Sequence, residues 1–491
     1  MAWSFGDGFD LYSSGGDAIN GYWDSGTTVG FSLVSGRFTG SQAIQQNSST
    51  VWLVKSSGVN DAVHHLVVAF RQTSAISGST LGTYLQLLDG TTGQCCIVFR
   101  GDGAILLTSG TPGGTTLATY TSAFPVSNTW YAFEFEIVIN NTTGSFAVRK
   151  NGNTSNDFSA TSLNTRPGSN SYANKLQVGQ NAAVAGQQFD DLFWRSDASS
   201  VAWMGDIRCY TRMPASDQSV QFSRAPTTVG QTFTSSATSN ISVGVARYTP
   251  FTPAYDGTVG SVILTLAAGY TGNMKCSMFA SSGTAPTTVL GSATAISNPV
   301  SGSNTFTFGT PVAVADGVQY WVGFDSDTNV TNGWQNTTGT PGATSTTSYA
   351  LFPVASPVVT TGQTMSLCTI NITVTSNCSV VNEAQQDAAT SYVYSSTPGQ
   401  SDLYGISSIA STPVSTIAVT TRSYAIKSDA GTRTMNTALK SGATTVNSPT
   451  FVLTTSNWTW IWRTDITDPA TGSPWTAVAV NTAQIGVTVV A

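Results

Sequence analysis

Glu134 and Glu136 are the best candidates for acid–base chemistry in this sequence, because they lie two residues apart in the strand-like run 132–140. Side chains at that spacing in a β-strand share one face, about 6.6–6.8 Å apart. Carboxyl groups about 6.5–9.5 Å apart serve inverting glycosidases. The spacing therefore allows a glycanase. Phe133, Phe135 and Ile137 occupy the other face, so the pattern favours two glutamates on the solvent side of an amphipathic strand.

Two pairs of aspartates could bind calcium through their carboxylate oxygen atoms. Asp190 and Asp191 are consecutive, and consecutive strand residues point to opposite faces, so a turn or backbone-capping role is favoured. Asp325 and Asp327 flank Ser326, but the rest of an EF-hand loop is missing, which favours a plain turn. The sequence leaves calcium binding open and requires no cofactor.

The histidines and cysteines form no motif typical of metal binding or nucleophilic catalysis. His64 and His65 are the chain's two histidines, and in a strand one ring points inward and the other outward. No constellation of Cys, Asp or Glu accompanies them, so a metal or catalytic role is not favoured. The six cysteines include no C-x-x-C pair, which favours buried thiols, although a Cys368–Cys378 bridge is possible by loop length.

Aromatic residues are the remaining candidates for ligand binding. Trp334 lies in a polar stretch with Asn332 and Gln335, and no core periodicity explains it. An exposed indole flanked by amides would suit a sugar-stacking site, which makes these three residues the candidates for ligand binding. Packing over the edge of its own domain is the favoured alternative for Trp334. Trp458, Trp460 and Trp462 alternate, which predicts a core or a subunit interface.

The composition excludes several classes of protein. Only 9% of the 491 residues are charged, the net charge is −6, and no run of Lys or Arg suggests nucleic-acid binding. The 40% of hydrophobic residues is enough for several packed cores, and the length predicts about three domains. The N-terminus lacks a signal-peptide pattern, and no apolar stretch predicts membrane insertion. We therefore expect assembly in a cytoplasm.

The elements that must position these residues are predicted to be β-strands throughout. Alternating patterns recur in every part of the chain, with turn signals such as Asn151-Gly152 between them. A polar, proline-bearing stretch at 223–229 suggests a boundary. We predict three all-β domains: residues 1–224, 225–377 and 378–491.

Specific residues at both ends resemble those of tailed-bacteriophage virion structural proteins. The first ~220 residues resemble a concanavalin A-like (laminin-G-like) domain, in motifs that begin at Gly8, Tyr22, Trp130, Gly144, Phe189 and Gly205. The last ~110 resemble a phage-type β-module, in motifs that begin at Val381, Gly399, Asp429, Trp462 and Asp468. Residues 225–377 resemble a separate jelly-roll module inserted between the two. The resemblance implies a multi-domain β-sandwich and jelly-roll fold.

The resemblance also implies a function. It favours a non-enzymatic virion protein of the tail-fibre or adhesin type, assembled as a homo-oligomer (a trimer is one option), with other virion proteins and a host-surface glycan as partners. A capsid-decoration or head-fibre role is the closest alternative, and a secreted glycan-binding protein or glycanase is a further one. Glucanases of this fold carry an additional acid on the strand face of Glu134, where this chain has Val138 and Asn140.

Overall fold

The computed structural model describes residues 3–13, 22–27, 30–47, 51–182, 184, 186–199, 202–226, 228–387, 389–409 and 415–491. Strands account for 55% of the residues and helices for 2%, which confirms the predicted all-β fold class. Among the described residues, the helix α1 spans Ala477–Thr482 and a 3-10 turn spans Cys378–Val380. Within the described ranges, no helix has the length and apolar character needed to cross a membrane.

The strands are short and follow one another closely. The first sixteen are β1 Trp3–Asp7, β2 Ser25–Gly26, β3 Phe31–Ser35, β4 Gln42–Gln46, β5 Trp52–Asp61, β6 Val63–Gln72, β7 Leu81–Asp89, β8 Thr92–Arg100, β9 Ile105–Ser109, β10 Thr116–Tyr120, β11 Tyr131–Val138, β12 Gly144–Lys150, β13 Phe158–Leu163, β14 Ala173–Gln180, β15 Gln187–Asp197 and β16 Pro214–Ser219. The next fourteen are β17 Ser223–Ala225, β18 Thr228–Thr232, β19 Ser235–Ile241, β20 Val245–Phe251, β21 Gly257–Leu266, β22 Asn273–Ser281, β23 Pro286–Ser292, β24 Ile296–Ser297, β25 Gly302–Val314, β26 Tyr320–Ser326, β27 Val330–Thr346, β28 Thr360–Ser366, β29 Cys368–Val374 and β30 Tyr392–Tyr394. The last seven are β31 Ser401–Ile406, β32 Val419–Ala425, β33 Thr434–Ser441, β34 Thr444–Asn447, β35 Phe451–Val452, β36 Thr459–Asp465 and β37 Gln484–Val489.

The chain divides into two compact units. The first comprises Met1–Gln221, Glu383–Ala388 and Ser395–Ala491, and the second comprises Phe222–Asn382 and Ala389–Tyr394. The chain leaves the first unit after β16 and returns to it before β31, and these two strands pair with each other. The second unit is therefore an insertion. The division into three domains stays a prediction.

The N-terminal part of the first unit is a sandwich of two antiparallel sheets. One sheet has the order β13-β12-β11-β6-β15-β4-β3 with β1 also paired to β15, and the other has the order β10-β9-β8-β7-β14-β5-β2. Their facing sides bury one core that includes Phe70, Phe99, Phe133, Phe135 and Trp194. The alternation in β11 places its phenylalanines in this core and Glu134 and Glu136 on the opposite side. We call that opposite side the outer face.

The C-terminal part of the first unit packs against this sandwich. Trp460 on β36 belongs to the sandwich core, and Trp462 packs against it. The predicted core role of these alternating tryptophans is confirmed for this pair. Trp458 stacks on Tyr424 of the neighbouring β32, with ring centroids 5.4 Å apart.

Arg422 of β32 fixes this packing through polar contacts. Its Nη2 donates to the carbonyl oxygen of Gly6 at 3.1 Å and to Asp7 Oδ1 at 3.2 Å. Its guanidinium carbon lies 3.3 Å from the centroid of the Tyr22 ring. Asp7 is 1% exposed, so the two charges form a buried ion pair.

Three other groups also donate hydrogen bonds to the Asp7 carboxylate. It also accepts hydrogen bonds from Tyr12 Oη (2.6 Å), Trp23 Nε1 (2.8 Å) and the backbone N–H of Phe9 (2.9 Å). A buried carboxylate is tolerated only when it is paired and hydrogen-bonded, and this one is both.

The second unit is built on a twelve-stranded sheet with the main order β18-β29-β21-β27-β20-β26-β22-β23. Its larger core includes Phe306, Phe324 and Trp334. A smaller core contains Tyr248, Phe279, Trp321 and Phe352. Strands β17 and β30 pair with each other where the chain enters and leaves this unit.

All six cysteines are free thiols. Cys95, Cys96, Cys276, Cys368 and Cys378 are buried, and Cys209 is half-buried. The prediction of buried apolar thiols is confirmed for the first five, and the structure contains no Cys368–Cys378 bridge.

Candidate functional site

A cluster of one histidine and two glutamates lies on the outer face. His65 on β6 is opposite Glu136 on β11 in the sheet register. The His65 Nδ1 lies 3.1 Å from Glu134 Oε1, and its Nε2 lies 3.0 Å from Glu136 Oε2. Both ring nitrogens can donate at once only when the ring carries two protons. The prediction that no acid accompanies the histidines is therefore wrong for His65.

A segment from the end of the sandwich covers this cluster. Residues 202–212, which we call the strap, follow β15 and cross the outer face. Glu134 accepts the backbone N–H of Met204 at 2.7 Å and that of Gly205 at 2.8 Å. Trp203 contacts the His65 ring edge-on, with centroids 4.9 Å apart. Glu134 is consequently 2% exposed, so its predicted place on the solvent side is wrong; Glu136 remains partly exposed.

Asp190 and Asp191 hold two further segments against β15. Asp190 Oδ2 accepts the backbone N–H of Arg37 at 2.7 Å, and its Oδ1 accepts that of Asp191. Asp191 Oδ1 accepts the N–H of Cys209 in the strap at 2.7 Å. The register between β6 and β15 shifts at this point, and Asp191 has φ +51°. The predicted backbone-capping role is confirmed.

Burial makes this aspartate pair sensitive to pH. Burial raises the pKa of the Asp191 carboxyl, and the neighbouring Asp190 carboxylate raises it further. Burial also raises the pKa of Asp190. The Asp191 Oδ2 atom is buried and has no hydrogen-bond partner, although Arg37 Nη1 lies 3.8 Å from it. The folded chain therefore holds a proton here at pH values where the unfolded chain has released it.

Asp191→Asn is expected to make the protein less sensitive to rising pH. A carboxyl pKa raised by folding contributes stability at low pH that is lost as the pH rises from about 4 towards the raised value. Asparagine keeps the oxygen that accepts the Cys209 N–H, cannot ionise, and tolerates positive φ. The free energy of unfolding of the variant minus that of the wild type should increase with pH in denaturant titrations, with a limiting slope of about 1.4 kcal/mol per pH unit. Parallel curves would contradict the assignment.

His64 behaves differently from its neighbour. Trp194 Nε1 donates to its Nδ1 at 3.2 Å, and its Nε2 lies 2.9 Å from the carbonyl oxygen of Asp61. Burial lowers the pKa of His64 to about 4. These contacts fit a neutral ring that donates through Nε2. The two histidines thus face opposite sides of the sheet, as predicted, and both are buried.

A chain of amide groups crosses a second part of the outer face. Arg71 Nε donates to Gln188 Oε1 at 2.8 Å, Gln188 Nε2 to Gln45 Oε1 at 2.8 Å, and Gln45 Nε2 to Asn47 Oδ1 at 3.0 Å. Asn47 Nδ2 donates to Ser32 Oγ. Every bond runs in the same direction, across β6, β15, β4 and β3. We call these five residues the amide row.

An aromatic ring lies at one end of the amide row. The guanidinium carbon of Arg71 is 4.6 Å from the centroid of the Trp130 ring. Trp130 immediately precedes β11 and is half-buried. Arg71 Nη2 also donates to the carbonyl oxygen of Ser35 in the β3–β4 hairpin. The row therefore combines a fixed indole with amide donors and acceptors.

The sequence-predicted binding residues lie in the second unit. Trp334 is 1% exposed and packs against Phe324 in the core, so the exposed indole that the sequence suggested is not present. Asn332 is exposed at φ +51°, and Gln335 donates to Ser235 Oγ and to the Ser236 carbonyl oxygen. The structure brings the three together only as neighbours on β27, and their ligand-binding role stays a prediction.

The aspartates at 325 and 327 cap the backbone. Asp325 Oδ1 accepts the N–H of Ser326, and Asp327 accepts the N–H and the side-chain amide of Asn273. Burial raises the pKa of Asp325 to about 6. Across the described ranges, no group of three or more His, Cys, Asp or Glu residues is arranged to hold a metal ion.

The amide row and the strap contain functional candidates that sequence reasoning missed. The row joins residues as far apart as Gln45 and Gln188, and each has unremarkable neighbours in the sequence. The one local signal was the presence of glutamines beside core residues on β4 and β15.

Comparisons with known proteins give limited similarity. No protein-family model matches the chain, and no curated protein matches it. Similar solved structures include the Caenorhabditis elegans galectin LEC-6 (16% identity, 29% of this chain and 88% of the galectin, TM-score 0.20). Others are a carbohydrate esterase from the Shiga toxin-encoding bacteriophage phi24B (15%, 38% and 98%, TM-score 0.27) and the Ca²⁺-bound exoplasmic/lumenal domain of VIP36 (9%, 41% and 93%, TM-score 0.27). Similarities this low show nothing about the function of this chain.

Proposed function

We propose that this chain is a non-enzymatic glycan-binding protein and that the amide row binds a neutral sugar chain. The amide row is the observation that carries the proposal. Within the row, each of Gln188 and Gln45 uses one N–H and one oxygen lone pair for its neighbours. A primary amide has two N–H groups and two lone pairs. The remaining ones on Gln45, which is partly exposed, can bind sugar hydroxyls, which also donate and accept, while the buried Gln188 holds Gln45 in place.

The fixed geometry of the row favours binding. Amides that already hold one another lose little rotational freedom when a ligand arrives, which lowers the entropy cost of association. The Trp130 ring supplies an apolar surface for the C–H face of a sugar. Arg71 is the charged member of the row, and its guanidinium already donates to Gln188 and Ser35. A neutral glycan is therefore the ligand class that fits.

The glutamate pair supports the non-enzymatic part of the proposal. Glycosidases need one carboxyl group to protonate the leaving oxygen and another to act from the opposite side. Here the His65 ring lies between Glu134 and Glu136 and contacts both. The strap covers Glu134. The pair is used to hold the fold.

We further propose that the protein is part of a virion surface, as a tail-fibre or adhesin-type component assembled as a homo-oligomer. The support is the resemblance of its terminal segments to phage structural proteins and the all-β architecture with an inserted unit. Gold-labelled antibody on intact particles tests the location and separates tail from head. Unlabelled particles would contradict it.

Trp130→Ala is expected to weaken neutral-glycan binding by the intact chain about tenfold, because the sugar loses its stacking surface. Trp458→Ala is the matched control, since it removes another half-buried indole stacked on a neighbour in the first unit. A glycan array identifies the ligand, and calorimetric titration measures both variants. If Trp130→Ala binds as the wild type does, the amide row is not the site.

A further inference from the structure

Arginine and aromatic side chains of the strap and of the β3–β4 hairpin alternate on the outer face. The guanidinium carbon of Arg208 lies 3.7 Å from the ring centroid of Phe38 and 4.3 Å from that of Tyr210. The guanidinium carbon of Arg37 lies 5.1 Å from the ring centroid of Phe38, and that of Arg212 lies 5.4 Å from the ring centroid of Tyr210. The order is therefore Arg37, Phe38, Arg208, Tyr210, Arg212. We call these five residues the ladder.

The ladder is held rigidly by contacts on both sides of Arg208. Arg37 donates to both carboxylate oxygens of Asp206, at 2.5 and 2.6 Å. Asp191 accepts the N–H of Cys209, and Thr211 Oγ1 donates to Asp10 Oδ2 at 2.8 Å. The strap residues before and after Arg208 are thus fixed to the sandwich, so the guanidinium groups are already in place for a ligand.

Arg208 and Arg212 differ from Arg37 in their ion pairs. Arg37 is paired with Asp206 and Asp191. Among the residues that the structure describes, neither Arg208 nor Arg212 forms an ion pair with an Asp or Glu. Arg208 is exposed, and the Nε of Arg212 is buried without a hydrogen-bond partner. In a chain with only 19 Lys and Arg residues, two uncompensated arginines around one tyrosine form a local cationic site.

The surface next to the ladder has room for a ligand. The β3–β4 hairpin, residues 33–42, lines an open depression of about 700 Å³. Arg37 and Phe38 belong to this lining. The depression is open to solvent, so a sugar chain can lie along it.

We propose that the ladder binds an acidic polysaccharide through its carboxylate or sulfate groups. Guanidinium groups bind such anions with charge-assisted hydrogen bonds. Arg208 Nη1 donates to Tyr210 Oη at 3.3 Å, and the other N–H groups of this exposed guanidinium are left for a ligand. The aromatic rings between the arginines provide apolar contact for sugar rings. A polymer with an anion on each sugar can contact Arg208 and Arg212 together. The site differs from the amide row in place and in ligand class.

The test uses the intact chain with short oligogalacturonate and with dextran sulfate, measured by calorimetric titration at low and physiological salt. Arg208→Gln and Arg212→Gln should each weaken binding about tenfold or more. Arg433→Gln removes the same charge at an exposed ion pair with Asp429 and should leave binding unchanged. Arg208→Lys, which keeps the charge and loses the planar stack, should bind with intermediate affinity.

Further measurements distinguish this site from the amide row and from a site for small anions. Methyl-esterified oligogalacturonate should bind much more weakly than the acid, and Trp130→Ala should bind the acid as the wild type does. Melting curves confirm that each variant is folded. The proposal is overturned if neither acidic oligomer binds, if inorganic phosphate competes at the same concentration as the oligomer, or if Arg208→Gln and Arg433→Gln behave alike. If the wild-type chain binds an acidic oligomer and no neutral glycan, the result counts against the amide row and leaves the ladder proposal standing.

Discussion

Replacing Arg422 by alanine is expected to lower the free energy of unfolding of the first unit by about 3–5 kcal/mol. The substitution leaves Asp7 buried without its cation and removes the guanidinium that lies on the Tyr22 ring. Breaking a buried pair from one side is costly because the remaining charge cannot reach water. The loss should appear as a lower unfolding midpoint in denaturant titrations followed by tryptophan fluorescence.

Arg433→Ala is the matched control for this prediction. Arg433 pairs with Asp429 on the surface, where both side chains are more than 40% exposed. Exposed pairs of this kind contribute about 0–1 kcal/mol. Equal effects of the two substitutions would show that Arg422 does not anchor the C-terminal part to the sandwich.

Replacing Trp334 by alanine is expected to destabilise the second unit by about 3–5 kcal/mol, because it opens a large cavity in a packed core. The indole is buried beside Phe324, and the Arg247 guanidinium lies 5.2 Å from its centroid. Calorimetry of the intact chain should show one unfolding transition shifted to lower temperature. Glycan binding at the amide row should be unchanged.

The same substitution tests the role that the sequence suggested for Trp334. If this tryptophan were a sugar-stacking platform, alanine would weaken adsorption to host cells and leave the melting temperature almost unchanged. Phe324→Leu, a milder change in the same core, should shift the same transition by a smaller amount. A normal melting curve for Trp334→Ala would contradict the buried position.

The fold class could be predicted from the sequence because strand alternation is a local signal. The run around Phe133 and Phe135 correctly predicted which face of β11 is buried in the core. The burial of Glu134 could not be predicted in this way. The groups that cover it, at Met204 and Gly205, are 70 and 71 residues away in the sequence. Only the folded chain shows that the outer face is partly covered.

Trp334 was misplaced because β27 does not alternate regularly. Asn332, two residues earlier, adopts φ +51°, and the register between β19 and β27 shifts between Ser239 and Ile241. An irregular strand with polar neighbours has the composition of a loop. The amide row was missed for a different reason, since single glutamines carry no motif and gain meaning only when distant strands pair.

The Asp7–Arg422 pair can form only late in the synthesis of the protein. The two residues are 415 positions apart. At typical synthesis rates of about 5–20 residues per second, Arg422 leaves the ribosome roughly 20–80 s after Asp7. During that interval the sandwich must hold the Asp7 carboxylate with Tyr12, Trp23 and the Phe9 N–H alone. The nascent sandwich therefore lacks the Arg422 contact until the C-terminal part has been made. The inserted unit is synthesised before the first unit can be completed.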